Sequence, residues 1–397
     1  MPSRRQFLQQ SAVVSFSPLL PLFLSRSVRA TDVKPGGRTL VVVQLDGGND
    51  GLNTIIPFGD ENYARFRKEL RIKPDEVLKL DDAVGLHPAM KSAAQLFEKG
   101  RLTIVQGVGY PNPNRSHFES MSIWHHARLK GDEHDSIGWL GRAADAAKQR
   151  DSSAVDSVFI GSAALPVALR GRRANAVSLE NESDLKLAAE VTAGGGAPPA
   201  SQDVAAFVQR TVDQSFDAAR RFGQSQAAQA GASDSYPASK LGQKFRLISR
   251  LLKLGGGARI YYASQPGYDT HAVQGFQHSR LLSEFSNALK AFLDDLQAAK
   301  LEDQVVVLAF SEFGRRAEEN GSAGTDHGCA GPVFLAGAPV RGGLVGPHPS
   351  LTDLDEGDLK MSIDFRRVYA TVLDHWLNVP SGDILAEMFE PLPLFQS

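Results

Sequence analysis

Residues 39–45 read TLVVVQL and run directly into Asp46-Gly47-Gly48-Asn49-Asp50-Gly51. A continuous β-branched and apolar run is the pattern of a strand buried on both faces, as in a parallel sheet covered by helices. The switch to Asp and Gly marks the strand's carboxyl end, where glycines let the backbone approach an ion or oxyanion closely. Residues 102–108 (LTIVQGV) and 304–310 (QVVVLAF) repeat the pattern, and 157–160 and 259–262 are weaker versions of it. Helical stretches separate them at 87–99, 118–128 and 277–298; in the last, Leu281, Leu282, Phe285, Leu289, Phe292 and Leu296 recur at helical spacing. Strands alternating with helices predict an α/β fold with a mainly parallel sheet and helices on both faces.

Residues 2–8, PSRRQFL, read as a twin-arginine export signal, followed by a short apolar run at 11–24 and a small-residue cleavage site, SVRA, at 27–30. Pro18 and Pro21 interrupt that run, and it falls short of the roughly 20 residues that span a bilayer. The expectation is a signal peptide at 1–30, a partnership with the Tat export machinery, and a mature chain that begins near Thr31 and works in the periplasm or outside the cell. No later stretch predicts a stable membrane anchor. The mature chain of roughly 365 residues suits one large α/β domain over 31–397 or two smaller ones. A hydrophobic share of 42% provides for a sizeable core, and a net charge of −2 offers no global field for nucleic acid. Cys329 is the sole cysteine, which excludes an internal disulfide and a Cys-rich zinc site. Residues 192–237 are rich in Gly, Ala, Pro, Gln and Ser around a helix at 202–222, and read as an inserted, partly mobile helical excursion.

In open parallel sheets, ligands gather at the carboxyl ends of the strands. Asp46 follows the first strand. Residues 109–119 (GYPNPNRSHFE) follow the second, with Ser116 at a predicted helix start. Gly267-Tyr268-Asp269-Thr270-His271 follows residues 259–262, and Ser311-Glu312-Phe313-Gly314-Arg315 follows 304–310, with Asp326-His327 in the Gly-rich loop beyond. Asp46, Asp269, Glu312 and Asp326 gathered at one sheet edge would repel one another unless a cation neutralised them. Mixed carboxylate and imidazole ligands, with His271 and His327, suit zinc, manganese or iron better than magnesium or calcium. Each element also has a plainer reading. The Asp-Gly-rich turn serves as a tight turn, Asp269 and His271 as helix caps, and Ser116 as an N-cap in a capping box with Glu119. His125, His126 and His134 read as a solvated helix face and loop, and His87 as a structural residue at a helix start. Gly-x-Ser-x-Gly, His-Glu-x-x-His, Walker and strand-linked Gly-x-Gly-x-x-Gly motifs are all missing, which disfavours α/β-hydrolases, zincins, P-loop enzymes and dinucleotide oxidoreductases.

Beyond the signal, the stretches QLDGGNDGLNTIIP (44–57), LHPAM (86–90), RSHFESMSIWHHA (115–127), GWLGR (138–142), YDTH (268–271), SEFGRR (311–316), GTDHG (324–328) and DFRRVYATVLDHWL (364–377) span nearly the whole chain. On these the chain is identified as a member of a bacterial family of Tat-exported proteins classed as a domain of unknown function, which resembles the alkaline phosphatase and sulfatase superfamily. The resemblance implies a three-layer α/β/α sandwich whose strand ends hold one or two divalent metal ions around a nucleophile. It implies Asp46, Asp269, His271, Glu312, Asp326 and His327 as metal ligands, Ser116 as nucleophile and Arg115 as the residue orienting the substrate's oxygens. Phe313 departs from that pattern, standing where a second-site histidine is expected, and the Asp-x-His spacing at 269–271 is contracted. In a competing alignment Asp326-His327 stands for the superfamily's Asp-His pair. No Cys-x-Pro-x-Arg motif supports formylglycine chemistry. Two functions are expected from this: a metal-dependent exported hydrolase of small or polymeric anionic phosphate or sulfate esters, or a non-catalytic periplasmic binding or assembly protein with a degenerate metal site.

Overall fold

Strand β1, Thr39–Asp46, sends alternate side chains into two separate cores: Val41, Val43 and Leu45 into one, Leu40 and Val42 into the other. That alternation within an unbroken apolar run is what places helices on both sides of the sheet. The computed structural model describes residues 37–129, 136–147, 155–180, 235–254 and 258–396. The export signal, His134 and positions 192–234 of the predicted excursion lie outside the described residues.

The remaining strands of the central sheet are β2 (Leu102–Gly109), β3 (Ser157–Ile160), β4 (Ala176–Leu179), β5 (Ile260–Pro266), β6 (Val305–Phe310), β7 (Gly331–Ala336), β8 (Gly343–Val345) and β9 (Ile363–Asp364). They lie in the order β8-β2-β7-β6-β1-β5-β3-β4, with β9 beside β2. All pairings are parallel except those of β7, which runs antiparallel to both β2 and β6. β1 is central, with Gln44 in register with Ser264 on one side and Phe310 on the other. The carboxyl ends of β1, β5 and β6 are therefore level. Because β7 reverses direction between β2 and β6, β2 also ends at that edge.

One helical layer contains α1 (Lys91–Glu98), α4 (Lys240–Lys253) and α5 (Gln274–Ala298); Leu96, Phe245, Ile248, Phe285, Leu289 and Phe292 face its core. The other contains α2 (His117–His126), α3 (Trp139–Ala147) and α6 (Phe365–Thr371), which contribute Trp124, Trp139, Leu140, Phe365 and Tyr369. Each large apolar side chain so buried contributes about 1.5–3 kcal/mol relative to exposure. The three-layer α/β/α sandwich expected from the sequence is present. Among the described residues no helix is long and apolar enough to cross a membrane.

His125 corrects the sequence reading, which put it on a solvated face. It is buried, with Nε2 3.2 Å from both Gln44 Oε1 and Tyr262 Oη. Burial lowers its pKa to about 3. Trp124, the residue before it on α2, stacks on Phe310 and Phe365, which brings this face of the helix and with it His125 against Gln44 and Tyr262.

Candidate metal centre

Four strand-end segments converge. The loop after β1 is held by a buried network: Arg67 donates Nη1 to Asp50 Oδ2 at 2.5 Å and Nη2 to Asp50 Oδ1 at 3.0 Å, and Gln274 donates to Asp50 at 2.5 Å. Burial opposes ionisation of Asp50, but the Arg67 guanidinium outweighs it and holds the pKa at about 2. Gly47 and Gly48 have φ of 120° and 78°, conformations that a side chain would strain. A Cβ on Gly47 would lie 2.4 Å from the Asp269 amide nitrogen, and one on Gly48 would lie 2.3 Å from the Phe313 ring. These two glycines thus bring the β1 loop against the loops after β5 and β6.

Loop 267–271 begins by donating the Gly267 and Tyr268 amides to the Asp46 carbonyl at 3.2 and 3.1 Å. The hairpin Arg315–Glu319 with Thr325–His327 docks on the far end of this loop. Thr325, Val273 and Gln274 amides meet the Thr270, Ser322 and Ala323 carbonyls at 3.1, 2.9 and 2.9 Å. That docking sets His327 beside Asp269 and His271. The start of α2 is fixed by Ser120, whose hydroxyl donates to the Glu312 carbonyl at 2.6 Å and lies 2.9 Å from Tyr110 Oη.

At the centre, Asp269 Oδ1 lies 3.0 Å from His271 Nε2, 3.1 Å from His327 Nε2 and 3.5 Å from His117 Nε2. His271 Nε2 and His327 Nε2 are 2.9 Å apart. One ligand atom each from His117, Asp269 and His327 lie within 4.8 Å of one another, which makes this trio a group able to hold a metal ion. The outer nitrogen of every imidazole meets an oxygen: His117 Nδ1 meets Glu312 Oε1 at 2.8 Å, His327 Nδ1 donates to the Arg115 carbonyl at 2.7 Å, and His271 Nδ1 is 3.4 Å from Asp326 Oδ1. Such outer bonds fix the tautomer that turns an imidazole lone pair inward.

The donor set suits a transition-metal ion. A tetrahedral ion with bonds of 2.0–2.2 Å separates its ligand atoms by roughly 3.3–3.6 Å; Asp269 Oδ1 lies 3.1 Å from the His327 nitrogen and 3.5 Å from that of His117, while His271, 2.9 Å from His327 Nε2, stands beside this trio. His117 Nε2 is buried and has no hydrogen-bond partner, an orphan that a cation would satisfy. Phe313, only 3% exposed, packs its ring 4.8 Å from that of His117 and 4.7 Å from that of His327, closing this side of the cluster with carbon.

Electrostatics agree with the geometry. Burial, and next the nearby charge of Glu312, raises the Asp46 pKa. The hydrogen bond that His117 donates to Glu312 raises its own pKa. Desolvation opposes ionisation of Asp269, yet Arg315 and His327 bring its pKa down to about 2. Arg315 is wholly buried and donates to the carbonyls of Gly48 at 2.7 Å, Thr325 at 2.8 Å and Tyr268 at 2.9 Å, to that of Gly47, and to Asp269 Oδ1 at 2.9 Å. One guanidinium thereby joins three loops.

The predicted residues divide into inner and outer positions. Asp269, His271 and His327 meet directly, while Glu312 and Asp326 stand behind imidazoles. Asp46 lies alongside, within the electrostatic reach of Glu312, His117 and Asp269, and accepts a hydrogen bond from Gln44 at 3.2 Å. Ser116 caps α2 without a side-chain capping bond and is exposed, so the capping box with Glu119 is not formed. The Arg115 guanidinium is paired with Asp358, at 2.6 Å from Nη2, and its contribution to the cluster is its carbonyl. His117 and Arg315 were missed as site residues. His117 had a signal: it is the histidine of a strand-end segment whose serine drew attention instead. Arg315 had none beyond following Glu312.

The fold and site thus define an α/β/α protein with a carboxylate–imidazole cluster at the strand ends. The chain belongs to the family described as protein of unknown function (DUF1501), whose profile matches residues 38–389. No curated protein matches it significantly. Among solved structures it is similar to the lipoteichoic acid synthase LtaP from Listeria monocytogenes, at 11% identity over 88% of this chain and 76% of that one, TM-score 0.37. The sulfatase PsFucS1 from Pseudoalteromonas sp. gives 9% identity over 96% and 78%, TM-score 0.40. A protein in the alkaline phosphatase superfamily from Vibrio parahaemolyticus gives 10% over 83% and 72%, TM-score 0.37. Identities this low leave the chemistry to be decided by the residues of the site.

Proposed function

We propose that this chain is an exported metal-dependent hydrolase of phosphate or sulfate esters, with a single divalent cation held by His117, Asp269 and His327 and completed by His271. The observation that carries the reading is the convergence of three imidazole Nε2 atoms on Asp269 Oδ1 while each outer nitrogen is braced by an oxygen. Zinc, manganese or iron suits this mixed donor set. When bound, the ion would offset negative charge on the ester's oxygens. Ser116, exposed one residue before His117, would supply the hydroxyl that attacks phosphorus or sulfur and displaces the ester's oxygen, which leaves as the alcohol with the serine's proton; water then cleaves the seryl ester, releases phosphate or sulfate and restores the hydroxyl. Arg315 keeps Asp269 ionised and in place. The Tat machinery reads residues 2–8 and delivers the folded protein beyond the cytoplasm.

Phe313 favours one ion over two, because carbon occupies the side of the cluster next to His117 and His327. It is also what a binding protein with a degenerate site would carry. One experiment separates the two. The mature protein is purified after export, its metal content is measured, and phosphate and sulfate monoester and diester panels are assayed for wild type, Ser116→Ala and His327→Ala. The hydrolase reading expects bound metal, turnover, and loss of turnover in both variants. Bound metal without turnover on any ester would instead establish the binding protein.

A further inference from the structure

Asp46 also lines a cleft of about 1060 Å³, bounded by the carboxyl ends of β3 and β5 and by α4 and α5. Pockets of roughly 300–1,000 Å³ accommodate whole drug-sized ligands, so a lone phosphate or sulfate group would leave nearly all of this space empty. Asp46 belongs to both places: it lines the cleft and lies within the electrostatic reach of Glu312, His117 and Asp269. A substrate whose reacting group sits at the cluster would therefore extend into the cleft.

The walls carry an arrangement of charge that bears on what extends there. Arg280 and Glu284 form an ion pair with each other at 2.5 Å and cancel, and of the other charged groups on the walls Lys240, Lys244 and Arg246 outnumber Asp46 and Glu180. Lys240 and Lys244 lie one helical turn apart on α4, which places both on one face. Neither has a carboxylate partner among the described residues. Lys244 Nζ donates to the Ser264 carbonyl at 2.6 Å, which uses one of its three donors. Burial, and then the charge of Lys240, lowers its pKa. A half-buried ammonium next to a like charge is stabilised by any anion that enters.

We propose that this cleft is a subsite for a second anionic group of an extended ester, with Lys240 and Lys244 as its ligands. The favoured substrate is then an oligomeric phosphate or sulfate ester rather than a small monoester. The subsite rests on the hydrolase reading for the reacting group, but its own binding step does not require the cation.

The test uses the full mature chain in a chelating buffer, with inorganic tripolyphosphate and a sulfated disaccharide as probes in separate titration-calorimetry arms, which distinguish phosphate from sulfate recognition. Wild type is expected to bind at least one probe, and Lys240→Gln/Lys244→Gln to bind it at least tenfold more weakly. The Lys240→Arg/Lys244→Arg variant should recover binding, which shows that a folding defect is not the cause. Equal binding by wild type and the Gln variant, or no binding of either probe by wild type, overturns the subsite. For turnover, the Gln variant should keep kcat/KM on a nitrophenyl monoester within twofold and lose at least tenfold on an extended ester, through KM. Lysine-dependent binding without turnover of any ester would leave the subsite standing and remove the hydrolase reading. Monoester turnover with lysine-independent binding would do the reverse.

Discussion

Replacing Arg315 by Met should loosen the three loops that form the cluster, and the size of the effect follows from its contacts. The side chain is fully buried and donates to four backbone carbonyls and one carboxylate. Methionine fills much of the same volume but donates to none of them. Each buried carbonyl left without a donor costs about 1–3 kcal/mol, and the lower end applies because water can reach loops near an open site. Four carbonyls then correspond to a loss of about 4 kcal/mol. For a chain of this size, roughly 2 °C of Tm accompanies each kcal/mol, so the midpoint should fall by about 8 °C. Circular dichroism melts at pH 7 in a chelating buffer measure this without any contribution from bound metal. The same variant should also change the acid limb of metal binding. Arg315 helps to hold the Asp269 pKa near 2, so without it Asp269 protonates at higher pH and proton competition against the metal begins earlier. A variant that melts within a degree of wild type and binds metal with an unchanged pH profile would refute the reasoning.

Three further outcomes are expected. Asp50 has its pKa held at about 2, below its ordinary 3.8, so its stabilising contribution is complete above pH 4 and lost as pH falls toward 2; urea titrations should show this decline in wild type, and Asp50→Asn should be less stable at pH 7 and flatter across that window. Glu312→Gln retains an acceptor for the Gly47 amide but removes the carboxylate behind His117, so metal affinity in chelator competition should drop about 10–100-fold with the fold intact. Gly48→Ala places a methyl group against Phe313 at positive φ and should cost at least about 1–3 kcal/mol in urea unfolding; a neutral result would contradict the tight approach of the β1 loop to Phe313.

The apolar runs at 39–45, 102–108 and 304–310 announced the sheet because strands buried on both faces have no polar alternation to obscure them. β7, Gly331–Ala336, was not singled out, since its six residues start at a glycine within a Gly-rich region and its antiparallel placement depends on partners distant in sequence. At the site, Asp269, His271 and His327 were legible because each follows or faces a strand end. The division between the residues that meet at Asp269 and those that stand behind imidazoles was not legible. It depends on side-chain direction: Glu312 and Asp326 are carboxylates like Asp269, and only the three-dimensional path of each loop puts them behind imidazoles. The burial of His125 was not legible because α2 has a short apolar face, whose packing through Trp124 on Phe310 and Phe365 depends on partners distant in sequence. The roles of His117 and Arg315 emerge only when loops hundreds of residues apart come together.

One cation is expected among His117, Asp269 and His327, with His271 alongside. The most direct measurement is the metal stoichiometry of the purified protein, with zinc, manganese and iron determined together by mass spectrometry and repeated for His117→Ala and His327→Ala. Wild type should carry close to one transition-metal ion per chain and either variant little or none. Folded wild-type protein that carries no such ion and takes none up from micromolar solution, or variants that retain the wild-type content, would contradict it.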